Sequence, residues 1–264
     1  MGLGDGQEPG PSRGENLDRG LARLTFLQGA DPAALAAAAP LARWLAVGPG
    51  ELVLDFGDAT DDVFLIAGGA VRVVVRTPLG LEVILGDLGP GDVFGEMAAI
   101  DGAPRSANVT ALHPSRLCRL PAAAFLEVAL RSPAVGLRVM RVLTARLRLQ
   151  DQRLFELAVL PVRHRLASEL LRLSRPREGR GGAGHVVSPP PAQHVLAARI
   201  GARRETISLA LAELAREGLV EVSARAIALP RPEALRAAID AQLRGASAAG
   251  PLRTDPLRIG RPER

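Results

Sequence analysis

The sequence predicts an α+β chain in three sections: an antiparallel roll of short strands, one long helix, and a helix-turn-helix followed by a small hairpin. Three observations carry this. Between about 41 and 120, short β-rich segments alternate with Gly, Asp and Pro turns at regular spacing, the signature of a compact antiparallel barrel or roll. From about 134 to 160, apolar residues recur every three or four positions until Pro161 stops the pattern. From 193 to 220, two amphipathic runs flank Gly201, and Gly218 closes the second.

With 264 residues, the chain can hold two small domains and tails, and 47% hydrophobic content is enough to build their cores. There is no Tyr, so Leu, Val, Ala and Ile must fill those cores. No Lys occurs either, and all 33 basic residues are Arg. Any single Arg is therefore a weak signal, because solvated positions that other proteins give to Lys are Arg here. The formal charge of +5 permits a polyanionic partner without demanding one. A single cysteine, Cys118, excludes an internal disulfide, a Cys-rich zinc site and an all-Cys iron–sulfur cluster. It lies in the strand-like run 116–120, where it reads as a small core residue. No basic-then-apolar leader and no apolar run of membrane length occur, so a cytoplasmic chain with no membrane partner is expected.

In chain order, 1–19 is Gly, Pro and charge and reads as a disordered tail. The first domain is expected over 20–133. Asp31-Pro32 supplies an N-cap and a first-turn proline for a helix to about Ala39. Strands are expected at 51–55, 63–66, 71–75, 82–85, 108–112 and 116–120, with turns at Gly57-Asp58, Gly68-Gly69, Gly86-Asp87 and 89–92. Pro121 opens a short helix to about Leu130, and Ser132-Pro133 starts the long one. Its seam of Met140, Leu143, Leu147, Gln150, Leu154 and Leu157 favours a coiled-coil homodimer, with Gln150 as the polar member that fixes register. Residues 134–161 thus read as dimerisation helix and hinge, with the hinge at Pro161. A second domain is expected over 162–235, starting with a helix at 162–173. Its Arg163 and Arg165 are either solvated or phosphate contacts. A turn at 179–184, a strand at 186–187 and a hairpin at 221–222 and 227–229 follow. After Pro232 a helix is expected to about Leu243, then a disordered tail over 244–264.

The stretch 94–107, Phe-Gly-Glu-Met-Ala-Ala-Ile-Asp-Gly-Ala-Pro-Arg-Ser-Ala, concentrates chemistry among small residues. Small residues let backbone N–H groups approach an anion. Arg105 can fork two hydrogen bonds onto phosphate oxygens, and Ser106 can add a hydroxyl donor. Glu96 would repel phosphate, so it must face something else, such as a sugar hydroxyl. A surface hairpin held by a Glu96–Arg105 salt bridge is the alternative. The stretch closely resembles the phosphate-binding cassette of the catabolite-activator (CRP/FNR) family, and the roll around it resembles that family's β-roll. The resemblance makes Glu96 the ribose ligand and Gly95, Arg105 and Ser106 the phosphate ligands, with Ala107 closing the motif. The family's base-touching Thr-Ser pair on the dimer helix aligns with Gln150 and Asp151, so the base contact departs from the family's pattern.

In 193–220, Val195, Leu196, Ile200, Ile207, Leu211 and Leu214 supply a shared core, while the start of the second helix shows Arg203, Arg204, Glu205, Thr206 and Ser208. Arg can pair bidentately with guanine and Glu can accept from cytosine N4, so such a helix start suits the major groove. Arg-Glu-Thr resembles the same family's recognition helix, which makes Arg204 and Glu205 base readers. The family's third reader, an Arg, is Leu209 here, and its usual cap Ser is Arg203. Gln193 and His194 could bond phosphates. The wing at 223–226 carries Arg225 and lacks the usual Gly.

The resemblance implies a homodimeric transcription regulator gated by a cyclic nucleotide, cAMP before cGMP, with double-stranded operator DNA, a second copy of itself and RNA polymerase as partners. No nucleophile–base set or metal cluster is visible, so no enzyme activity and no metal are expected. The rivals are a ligand-independent regulator, a haem sensor using one of His113, His164, His185 and His194, and a nucleotide-binding module that never reads DNA.

Overall fold

The computed structural model describes residues 20–76, 82–177 and 184–248, the last three of these as backbone alone. The chain forms two compact units that adjoin in sequence between Gln150 and Asp151.

In the first unit, eight strands among the described residues make two antiparallel sheets. These are β1 (Arg43–Val47), β2 (Leu52–Leu54), β3 (Val63–Gly68), β4 (Val71–Arg76), β5 (Glu82–Leu88), β6 (Val93–Phe94), β7 (Asn108–Ala111) and β8 (Ser115–Leu120). Strand orders are β1-β8-β3-β6 and β2-β7-β4-β5. One core contains Leu54, Phe64, Ile66, Phe94, Val109 and Leu117, with the Phe64 and Phe94 rings stacked at 5.0 Å. A second core joins Leu65, Cys118 and Leu120 to Phe26, Phe125, Val128 and Val135. The alternating inward residues of β3 and β8 therefore serve two cores. This is why Val63, Phe64, Leu65 and Ile66 run apolar without the polar alternation of a half-exposed strand.

The helices of this unit are α1 (Pro32–Ala38), α2 (Glu96–Asp101), α3 (Ala122–Arg131) and the first part of α4 (Pro133–Val159). Asp31 caps α1 by accepting from the Ala34 N–H at 2.8 Å, as its sequence position requires. Cys118 is fully buried, and burial pushes its thiol up to about 12, so it packs rather than reacts. Strands β1 and β6 and helix α2 go beyond the sequence expectation. β1 has no clear inside–outside alternation, and β6 has only two residues.

The long helix exposes Met140, Leu147, Leu154 and Leu157, all in the expected seam, whereas Leu143 packs partly on the roll's core. Gln150 is exposed on the same helix.

The second unit contains the last turns of α4, then α5 (Val162–Leu173), β9 (Arg175–Pro176), β10 (His185–Val187), α6 (Gln193–Ile200), α7 (Arg204–Arg216), β11 (Glu221–Val222), β12 (Ile227–Leu229) and α8 (Pro232–Ala248). Its sheet runs β11-β12-β10-β9, and its core is built on Leu166, Leu170, Leu196, Ile207, Leu214 and Leu235. Helix α8 continues past the expected end at Leu243 to Ala248, so the tail expected from 244 starts inside a helix. The surrounding Ala, Gln, Leu and Arg residues favour helix strongly enough to carry Gly245. The segments expected to be disordered at 1–19 and beyond 248, and most of the 179–184 turn, lie outside the described residues. No helix among the described residues is long and apolar enough to cross a membrane.

Buried charge holds the second unit together across Pro161. Arg172 on α5 forks onto Glu156 of α4 at 2.7 and 2.9 Å and also reaches Glu169 at 3.0 Å. Glu169 takes Arg199 of α6 at 3.4 Å and Arg153 of α4 at 3.5 Å. Burial alone would lower Arg172, but its bonds to Glu156 and Glu169 hold it above its ordinary value. Glu169 is 1% exposed, so removing its carboxylate leaves several guanidinium groups in a poorly hydrated site. Glu169→Ala is expected to cost about 3–5 kcal/mol of stability, read as a shifted urea midpoint for the second unit's transition in the full chain. A change below about 1 kcal/mol would show that water already screens the network.

Candidate functional site

Strand β6 delivers the chain to Gly95, whose φ of +81° only glycine adopts at low cost. A Cβ there would lie 2.7 Å from the Asp62 carbonyl oxygen and 2.8 Å from Arg105 Nη1. Gly95 is thus needed both for the turn and for the close approach of Arg105. Helix α2 starts at the next residue, Glu96.

Arg105 is 3% exposed. Its Nε donates to Thr60 Oγ1 at 2.9 Å, Nη1 to the Gly95 carbonyl at 2.9 Å, and Nη2 to the Asp62 carbonyl at 2.8 Å. Its backbone N–H donates to the Asp58 carbonyl at 2.9 Å, and Gly57 N–H donates to its own carbonyl at 2.9 Å. The loop between β2 and β3 is therefore a cradle for one arginine. All three guanidinium bonds end on neutral oxygens, which leaves two of the five N–H groups for another acceptor. Burial pulls this guanidinium below its ordinary value, against the opposing pull of Asp62, Asp61, Asp58 and Glu96. An anion seated here would supply what the cradle does not.

Glu96 is 2% exposed. The expected alternative partner, Arg105, is not its cation. Arg146 of α4 donates from Nη1 to Glu96 Oε1 at 2.5 Å and from Nη2 to the Val93 carbonyl at 2.5 Å. Glu96 Oε2 is buried with no donor among the described residues. A sugar hydroxyl is the kind of neutral donor this oxygen could accept. Sequence reasoning missed Arg146. In a chain with no Lys it looked like any solvated arginine, and the one available signal was its place one helical turn before Gln150.

Ser106 is exposed beside Arg105, with its hydroxyl 3.6 Å from Met97 Sδ of α2, whereas Ala107 is buried in the roll. The structure thus gathers Gly95, Glu96, Arg105 and Ser106, and adds Arg146. Gln150 and Asp151 stand exposed on α4. A separate cleft of about 550 Å³ in the same unit, lined by Arg23, Trp44, Ile66 and Arg116 among others, contains none of the cassette residues. Among the described residues, no group of His, Cys, Asp and Glu is arranged to hold a metal ion. His113 and His194 are exposed, and His185 Nδ1 lies 2.9 Å from Ser174 Oγ.

In the second unit, α6 ends at Gly201 with φ +62°, and the Ala202 N–H reaches back to the Ala197 carbonyl at 3.0 Å. Helix α7 then starts, buries Ile207, Ala210, Leu211 and Leu214, and turns Arg204, Glu205, Ser208 and Leu209 outward. Arg203 precedes it, exposed and with no side-chain capping bond, and Thr206 is half-buried. Ser208 Oγ donates to Gln193 Oε1 at 2.8 Å, so these two candidate DNA ligands first fix α7 against the start of α6. The wing turn closes without its usual Gly because Ser223 Oγ accepts from the Ala226 N–H at 3.0 Å. Arg225 projects from this turn, exposed. Arg163 binds Glu217 at 2.7 Å and lies 3.9 Å from Glu213, a structural role rather than either of those expected from sequence.

A β-roll with a buried arginine and a buried carboxylate, followed in the chain by a helix-turn-helix with an exposed basic helix start, is the make-up of a DNA-binding regulator class of protein. Comparison with known proteins agrees. Residues 44–132 match the cyclic nucleotide-binding domain family, and residues 164–238 match the Crp-like helix-turn-helix domain family. A CRP-like cAMP-activated global transcriptional regulator of Mycobacterium tuberculosis is 30% identical over 219 residues, 83% of this chain and 98% of the relative. A cyclic AMP receptor protein of Thermus thermophilus is 38% identical over 63% of this chain and 74% of its own. The solved structure of CLP, a c-di-GMP responsive regulator of Xanthomonas campestris, shares the fold with TM-score 0.63 and 20% identity, over 75% of this chain and 99% of its own. The chain belongs to the CRP/FNR family of DNA-binding transcription regulators.

Replacing Arg146 by Met would leave the Glu96 carboxylate buried without its cation. The variant is expected to lose about 3 kcal/mol of stability at neutral pH, read from urea denaturation curves. A loss below about 1 kcal/mol would contradict the pairing.

Proposed function

We propose that the protein is a homodimeric transcription regulator gated by a cyclic nucleotide, with cAMP as the effector. The carrying observation is Arg105, a buried guanidinium whose hydrogen bonds all end on neutral oxygens, close to Glu96 with its unpaired Oε2. In this reading the cyclic phosphate takes the two remaining Arg105 N–H groups, the Ser106 hydroxyl and the backbone around Gly95. The ribose 2′-hydroxyl donates to Glu96 Oε2. Arg146 holds the other Glu96 oxygen and the Val93 carbonyl, so an event at the ribose is transmitted to α4. Gln150 and Asp151 face the base from the dimer helix, and Ala107 anchors the cassette in the roll.

The exposed seam of Met140, Leu147, Leu154 and Leu157 supports a second copy as the partner that covers it. Two recognition helices then meet an operator with half-sites about one DNA turn apart, ~34 Å. Arg204 and Glu205 read bases, Arg203, Thr206 and Ser208 border them, and Gln193, His194 and Arg225 meet the backbone. Ligand changes DNA affinity to the extent that it binds the DNA-competent arrangement more tightly. RNA polymerase is the downstream partner, the compartment is the cytoplasm, and the function is binding rather than catalysis.

A second effector chemistry is favoured by one observation. Gln150 and Asp151 replace the base-touching pair of the family, and a fold neighbour is named as responding to c-di-GMP. Calorimetric titration with cAMP, cGMP and c-di-GMP separates these readings. Micromolar binding of cAMP is expected. Arg105→Ala is expected to abolish it while light scattering still reports a dimer, and wild-type affinity in that variant would overturn the pocket. Arg204→Ala is expected to cost about 1–3 kcal/mol at a selected operator and to relax one base position. An equal loss on all sequences would make Arg204 a phosphate contact.

A further inference from the structure

Helix α7 turns four side chains outward from its first two turns: Arg204, Glu205, Ser208 and Leu209. Three are polar. The fourth is a leucine that is 67% exposed. A singly exposed leucine on an ordinary surface needs no explanation. This one lies one helical turn beyond Glu205, on the face that would enter the major groove. At 1.5 Å per residue it is about 6 Å further along the axis, or one to two base steps. Ser208 beside it is already engaged by Gln193, which leaves Leu209 as the exposed apolar group at that level.

We propose that Leu209 is a specificity-determining residue that reads the C5-methyl group of a thymine in each operator half-site, next to the bases read by Arg204 and Glu205. This rests on the DNA-binding reading above. The chemistry discriminates in two directions. The thymine methyl is the one apolar group that the standard bases display in the major groove. Against it, Leu209 and the methyl leave water together. Guanine O6 and N7, cytosine N4 and adenine N6 instead present polar groups that leucine would desolvate without replacing their hydrogen bonds. Leu209 therefore attracts one base and excludes the others, the combination that specificity requires.

The test uses the full-length protein with cyclic AMP present. Operators are selected from a random duplex pool, and each thymine of the best half-site is replaced by deoxyuridine. This removes only the methyl and keeps the Watson–Crick pairing. One thymine position is expected to show a loss of affinity of about fourfold, the factor for burying one methyl-sized group. Leu209→Ala is expected to bind the thymine and deoxyuridine duplexes equally. Leu209→Met, which keeps an apolar reach, is expected to retain most of the difference. Because Leu209 is exposed and outside the core, folding of both variants is not at issue, and circular dichroism verifies it. Selective binding with no methyl effect at any thymine would overturn the proposal, as would a methyl effect that survives in Leu209→Ala. Absence of any selected sequence would instead overturn the DNA-binding reading beneath it.

Discussion

Arg105 occupies the roll at 3% exposure with three donors on neutral oxygens, and the β2–β3 loop and the turn at Gly95 keep it there. Burying a guanidinium is costly unless its charge is met. The cradle meets three of its five N–H donors and only partly its charge. Gly95 adopts positive φ, and a Cβ there would strike Arg105 or the Asp62 carbonyl. The loop from β2 to β3 folds over so that Asp58, Thr60 and Asp62 can offer oxygens. A guanidinium held in this way supports the anion-binding reading of the cassette.

Beside this cation lies a carboxylate with the opposite balance. Glu96 has one oxygen committed to Arg146 and one with no donor among the described residues. The first bond ties the cassette to the long helix, and the second is the acceptor to which a ribose hydroxyl is proposed to donate. Arg146 thereby belongs to both the proposed binding site and the helix that carries the exposed apolar seam. Further along, the last turns of the same helix are fixed to α5 and α6 through Glu156, Glu169 and Arg172. Each unit thus grips its own part of α4 through arginines paired with buried carboxylates. Pro161 interrupts the helical ladder, but charged contacts span the break.

Much of the architecture could be read from the sequence because its signals were local. The Asp31-Pro32 start, the turns between strands, the proline at 161 and the glycines at 201 and 218 each act within a few residues. The cassette's Gly95, Glu96, Arg105 and Ser106 were legible as chemistry for the same reason. What escaped was long-range. The Glu96–Arg146 pair joins residues 50 positions apart. The cluster of Arg153, Glu156, Glu169, Arg172 and Arg199 combines three helices. In a chain whose only basic residue besides His is Arg, composition cannot separate these paired arginines from solvated ones. Strand β1 escaped because its side chains lack alternation, and α2 because its six residues sit inside a motif that read as a turn.

The central claim is that the cassette's ligand and the operator bias the same equilibrium. Its most direct test is the affinity of the full-length protein for cyclic AMP, measured by titration in the absence and presence of saturating selected operator DNA. Linkage requires the factor by which DNA tightens cyclic AMP binding to equal the factor by which cyclic AMP tightens DNA binding. The account predicts a matched gain of about 5–150-fold, the range typical of allosteric coupling. Measurable cyclic AMP binding that is unchanged by DNA would contradict it, leaving a nucleotide site with no hold on the recognition helices.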